Sequence, residues 1–177
     1  MNRLFDFLSL GIGCILFLIG GFWVWERYKP IRVSDTVIQK ETTLPIQITI
    51  PSLSVRLPVI PAKYEKNSFQ TTAHGVSYLS STALPGTQGN SIFYGHNWPN
   101  LLGRLSDIRQ GDEIIVTQGN AEIIYTVVYT SVVAPNETHI QNNTTDMRLT
   151  LYTCTGFLDQ KRFVATATLK DTEIKDK

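Results

Sequence analysis

Glu113-Ile-Ile-Val-Thr117, Gln118-Gly-Asn-Ala121 and the run from Glu122 through Tyr125, Val127 and Tyr129 to Val133 decide the fold class. Both flanking runs are rich in β-branched and aromatic residues, which suit a pleated, half-buried surface. The Gly-Asn pair between them is hairpin chemistry, so the three pieces read as two antiparallel strands and their turn. The same grammar extends outward. Ile46-Gln-Ile-Thr-Ile50 alternates apolar and polar residues and stops at Pro51, and Leu53 to Ile60 repeats the pattern before Pro61. Ser91-Ile-Phe-Tyr-Gly95 follows Gly89-Asn90, while Arg148 to Cys154 and Arg162 to Leu169 complete the set. Seven or eight short strands spaced in this way predict an all-β domain, a closed or nearly closed antiparallel barrel. One stretch breaks the period. Leu101, Leu102, Leu105 and Ile108 fall at helical spacing behind Pro99, which predicts a short helical turn between strands.

Ahead of this domain lies an apolar run. From Phe7 to Trp25 the chain carries no charged residue, and 19 residues of helix would span roughly 28 Å, close to a bilayer's hydrocarbon core. Trp23, Trp25 and Tyr28 stand at one end, where amphipathic rings favour the interface. The run is longer than a signal-peptide core and ends in bulky residues, so it reads as an uncleaved anchor. The expected organisation is a cytoplasmic N-terminus over 1–6, a transmembrane helix over 7–25, a stalk over 26–44, a domain over 45–170 and a polar tail over 171–177. Charge argues the other way on orientation. Arg27, Lys29 and Arg32 follow the span, and the positive-inside rule taken alone would put the domain in the cytoplasm.

Sixteen basic residues against fifteen acidic ones leave a net charge of +1, which gives no footprint for nucleic acid. The two cysteines, Cys14 and Cys154, fall in the apolar run and in the polar domain, so a disulfide between them is not expected. Cys154 is then a lone thiol, either an inert buried side chain or one kept for reactivity.

Strand parity sharpens that choice. Leu149, Leu151 and Thr153 share one face; Cys154 shares the other, polar one with Arg148, Thr150 and Tyr152, next to the loop opening at Thr155-Gly156. Arg162 opens the following strand opposite the apolar face of Phe163, Ala165, Ala167 and Leu169. A hairpin between these strands would set the guanidinium beside the thiol, where it favours thiolate and can donate to an oxyanion. Of His74, His96 and His139, His96 closes a strand beside a glycine, the position best suited to project an imidazole into a groove.

Together these residues resemble the sortase family. Thr150-Leu-Tyr-Thr-Cys154 matches its TLxTC motif at every fixed position, and Arg162 opens Arg-Phe-Val eight residues later. Ala83-Leu-Pro-Gly86, Gly89-Asn90 and Tyr94-Gly-His96 resemble the family's approach to its catalytic histidine, and Leu102, Leu105 and Gly111-Asp112 the segment beyond it. The resemblance covers residues 45 to 170 and implies an eight-stranded β-barrel cysteine transpeptidase. His96, Cys154 and Arg162 would be catalytic, with Arg162, Thr153 and Thr155 contacting substrate. The implied substrate is a secreted protein bearing an LPxTG-type sorting signal, and the implied acceptor an amine on a cell-wall precursor or pilin lysine. Such an enzyme sits in the cell membrane as a single-pass protein with its domain extracytoplasmic. The compact chain, with an N-terminal anchor and no C-terminal apolar segment, resembles class D or E sortases more than the pilin-polymerising class C enzymes. No acidic cluster resembles the calcium site of some class A members, so neither metal nor other cofactor is expected. The competing reading is a non-enzymatic anchored β-domain that binds a wall component.

Overall fold

The computed structural model describes residues 17–22, 24, 25, 27–29, 44–65 and 68–174. The expected N-terminus over 1–6, residues 7–16 and 23 of the expected anchor, most of the 26–44 stalk and residues 175–177 lie outside the described residues. Residues 17–22, 24, 25, 27 and 28 are helical, and Phe17, Leu18, Phe22 and Trp25 are exposed there. Among the described residues no helix is long and apolar enough to cross a membrane.

The domain consists of ten strands: β1 (Gln47–Ile50), β2 (Val55–Ala62), β3 (Tyr64–Glu65), β4 (Ser68–Phe69), β5 (Val76–Leu79), β6 (Gly89–Gly95), β7 (Glu113–Gln118), β8 (Ala121–Val133), β9 (Met147–Thr155) and β10 (Lys161–Ile174). Eight of them close a barrel in the order β1-β2-β5-β6-β9-β10-β8-β7, while β3 and β4 form a separate small hairpin. The hairpin read from Gly119-Asn120 is present, with Gln118 opposite Ala121. β10 runs to Ile174, so residues 171–174, the expected start of a polar tail, are paired with 121–124.

The barrel is not antiparallel throughout. β2 pairs with β5, and β6 with β9, in parallel. Parallel neighbours need a crossover, and the chain makes the second by running through the whole β7–β8 hairpin before it returns. β5 was not expected from the sequence. All four of its residues are buried, so the alternation that marks a half-exposed strand is erased. The turn expected from Leu101 to Ile108 is there as a series of turns ending in a 3₁₀ turn at Leu105–Asp107, with all four apolar side chains buried.

Ile48, Tyr78, Phe93, Ile114, Tyr125, Leu149, Leu151 and Phe163 belong to one buried cluster, and strand alternation directs it into the barrel. Full burial of each such side chain stabilises the fold by about 1.5–3 kcal/mol. A second, smaller cluster of Ala62, Leu79, Ile92, Tyr94, Tyr152 and Val164 occupies the opposite strand faces, packed by Phe69, Val133 and Ile140. This second cluster is the floor on which the site stands.

Candidate active site

Two strand pairings meet at Cys154. On one side β6 runs parallel to β9 with Gly95 opposite Thr153, so His96 follows its strand's last rung just as Cys154 follows Thr153. On the other side β10 runs antiparallel to β9 with Arg162 directly opposite Cys154. Adjacent strands are separated by about 4.8 Å, so all three residues share one end of one sheet. Directly opposed residues project to the same face, which brings the guanidinium and the thiol together. His74 and His139 are elsewhere: both are exposed, and His139 Nδ1 lies 3.2 Å from Glu137 Oε2.

The face carrying Cys154 differs from the polar one expected. Tyr152, two residues earlier, is buried and stacks on Tyr94 with ring centroids 5.4 Å apart. Tyr94 in turn meets Phe69 of the β3–β4 hairpin edge-on at 5.6 Å, and its hydroxyl donates to the Gln70 carbonyl at 2.7 Å. The hairpin thus covers aromatic rings that strand parity alone would leave in solvent.

Thr153, expected as a substrate contact, has its side chain turned away from solvent. It is buried, and its Oγ1 donates to the Gly95 carbonyl at 2.9 Å. The hydroxyl is committed to holding two strand ends together. Thr155 remains half-exposed at the mouth.

Beyond Thr155 the chain turns through Gly156, whose φ of +81° favours glycine, into a 3₁₀ turn at Phe157–Asp159. Leu158 and Asp159 are also left-handed, at φ +50° and +57°. This geometry turns the Asp159 carbonyl toward Arg162, whose Nη1 donates to it and to the Lys161 carbonyl, each at 2.9 Å. The guanidinium is therefore held at the strand mouth before any substrate arrives.

Burial pushes the Cys154 thiol above its ordinary range; Arg162 opposes this and Asp159 adds to it. Burial also lowers the His96 imidazole, with Arg27 acting in the same direction and Asp159 against it. Both shifts favour the uncharged thiol–imidazole pair at rest. The imidazole stacks on Trp98, with centroids 4.5 Å apart and planes 11° from parallel. No group of three His, Cys, Asp or Glu side chains among the described residues is arranged to hold a metal ion.

This arrangement has counterparts in known proteins. The family model described as a sortase domain matches residues 48–170, well over half of the chain. The chain belongs to the sortase family. Sortase A of Bacillus anthracis is 29% identical over 133 residues, covering 73% of this chain and 61% of that protein. Sortase A of Listeria monocytogenes is 32% identical over 130 residues, covering 71% of this chain and 56% of the relative. The sortase-family chain thus spans about three fifths of the length of these curated relatives. The solved structure of Listeria monocytogenes sortase A superposes with a TM-score of 0.63 at 29% identity, covering 78% of this chain and 93% of that one. These relatives are sortases A, which lends no support to the expected class D or E.

Sequence reasoning missed three parts of this sortase site. Trp98 carried a signal, an indole in an otherwise polar loop two residues after His96. Asp159 lay in the turn before Arg162, but its left-handed backbone has no marker in the sequence. The stack under Tyr152 depends on a hairpin remote in the chain.

Proposed function

We propose that this sortase-family protein is a membrane-anchored cysteine transpeptidase acting on LPxTG-type sorting signals of secreted proteins. One observation carries the reading: Cys154 has Arg162 as its direct partner across β9–β10, while the parallel β6–β9 register aligns the strand end before His96 with the rung before Cys154.

The chemistry follows from the neutral resting pair. The imidazole of His96 takes the Cys154 thiol proton as the sulfur attacks the threonine carbonyl of the signal. A carbon–sulfur bond forms, and the carbonyl oxygen takes negative charge beside the Arg162 guanidinium. Collapse breaks the threonine–glycine bond, and the imidazolium gives its proton to the departing amine. The thioester left on Cys154 is then attacked by an acceptor amine, a cell-wall precursor or a pilin lysine. His96 accepts the proton from that amine, the carbon–sulfur bond breaks, and the thiol is restored.

Residues 7–25 act in this proposal as the anchor, with the domain on the outer side of the membrane. The uncharged run and the exposed apolar side chains of the helix at Phe17, Leu18, Phe22 and Trp25 support it. Tethering raises the effective concentration of an enzyme whose substrates also arrive at the membrane. Protease added to intact cells should digest the domain; a protected domain refutes the outward placement.

The activity is tested by incubating the full-length chain with LPxTG-type peptides and an amine. Mass spectrometry should find the transfer product and an acyl adduct on Cys154. Cys154→Ala should abolish both, and His96→Ala should leave almost no turnover. Transfer that survives Cys154→Ala would end the proposal.

A further inference from the structure

We propose that residues 27–29, at the C-terminal end of the apolar N-terminal helix, dock on the loop after His96, where Arg27 and Trp98 act as positioning residues for its imidazole. The inference rests on the reading of His96 as the proton carrier, and it concerns what holds that ring in place.

Three contacts define the docking. The Arg27 guanidinium carbon lies 5.2 Å from the centroid of the Trp98 ring. Trp98 stacks on His96 at 4.5 Å. Asn100 Nδ2 donates to the Lys29 carbonyl at 2.9 Å, fixing the same segment a second time. The first contact is a cation over an indole face, worth about 0.5–1 kcal/mol when exposed and more when dry. The second restrains a ring that would otherwise rotate freely at the end of its strand.

The Trp98 backbone is itself held firmly. Its carbonyl accepts from the Leu101 and Gly103 amides, each at 2.9 Å. Gly103 passes so close that an added Cβ would sit 2.7 Å from that carbonyl oxygen. The indole packs against the main core on the inner side. Trp98 is therefore a rigid platform with His96 on it, and Arg27 comes to it from a distant part of the chain.

The charges around the imidazole agree with this arrangement. Arg27 from the N-terminal segment disfavours its protonation and Asp159 from the β9–β10 turn favours it, with burial the larger influence. Docking thus holds the ring in the neutral form able to receive the thiol proton. Within the same segment, Lys29 Nζ lies 5.8 Å from the Trp25 ring centroid.

The test uses the full-length chain in mild detergent, with the His96 imidazole titration followed by NMR and assigned through His96→Ala. Arg27→Gln should move the His96 midpoint to higher pH, Arg27→Lys should not, and His74 and His139 should stay where they are. Trp98→Leu should lower kcat for peptide transfer on the order of tenfold to a hundredfold with KM little changed, and Trp98→Phe should recover most of it. Arg27→Gln changes an exposed residue, so its result does not depend on how well the Trp98 variants fold. If Arg27→Gln leaves the His96 midpoint unmoved, the docking proposal is overturned. If the midpoint moves but His96→Ala keeps full turnover, the docking stands and the assignment of His96 as proton carrier falls.

Discussion

Thr153 donates its hydroxyl to the Gly95 carbonyl at 2.9 Å, joining the rung before Cys154 to the rung before His96. The bond lies across the parallel β6–β9 pair, at the rung where Gly95 stands opposite Thr153. Thr153→Val keeps the shape but removes this buried hydrogen bond, which costs about 0.5–1.5 kcal/mol. Thr153→Val should therefore lower the denaturant midpoint and reduce kcat for peptide transfer roughly tenfold, since a small misplacement of reacting groups is expensive. Thr153→Ser retains the donor and should restore most of both. Equal transfer rates in the two variants would show that the bond does not align the site.

The state of the sulfur gives a second prediction. Burial and Asp159 raise the Cys154 pKa while Arg162 lowers it, so at neutral pH the thiol form dominates and alkylation should be slow. The rate should climb as pH rises through the elevated thiol range. Arg162→Gln removes the stabilising cation and should slow alkylation further at any given pH below that range. Asp159→Asn removes an opposing charge and should speed it. Iodoacetamide labelling across a pH series, read by intact mass, checks both signs, and faster labelling in Arg162→Gln would contradict the electrostatic account.

What could be read in advance follows from how local each feature is. β8 and β9 declare themselves through residues such as Ile123, Tyr125 and Leu151, and the pairing of Cys154 with Arg162 follows from one short hairpin. The parallel partner of Thr153 does not, because periodicity says which face a residue occupies and not which strand lies beside it. The burial of the face that carries Cys154 is hidden from the sequence for the same reason. Thr150 and Tyr152 look like solvent residues until Asn90, Tyr94 and Phe69 are brought over them by remote segments. β3 and β4, at two residues each, are too short to leave a period.

Asn90 supplies a third prediction, about the loop beside the site. Its Oδ1 accepts from Thr150 Oγ1 at 2.8 Å, and its Nδ2 donates to the Ile140 and Asn142 carbonyls at 3.0 and 3.2 Å. One buried amide therefore ties the 3₁₀ turn at Thr138–Gln141 to the barrel, and Ile140 of that turn packs on the cluster under Tyr152. Asn90→Ala should cost about 2–4 kcal/mol, from a lost buried bond and its stranded partners. Amide exchange should accelerate in residues 138–144 more than in the barrel strands. Because Thr150 and Asn90 share a bond, Thr150→Val should add little once Asn90 is gone. Full additivity of the two changes would mean the pair is not coupled.

Gly103 offers the sharpest separation of folding from catalysis. A Cβ there would meet the Trp98 carbonyl oxygen at 2.7 Å and the Trp98 carbonyl carbon at 2.8 Å, both rigid backbone atoms. Gly103→Ala must therefore displace the turn that carries Trp98, and with it the ring stacked on His96. Gly111 is the contrast. Nothing lies within 4 Å of its added Cβ, although its φ of +93° makes any side chain strained. Gly111→Ala should lower stability through backbone strain of about 1 kcal/mol or more while leaving kcat near its original value. Gly103→Ala should depress kcat beyond what its own change in stability explains. Thermal melts and initial rates on the same preparations compare the two, and a kcat no lower in Gly103→Ala than in Gly111→Ala would remove the Trp98 turn from any part in positioning His96.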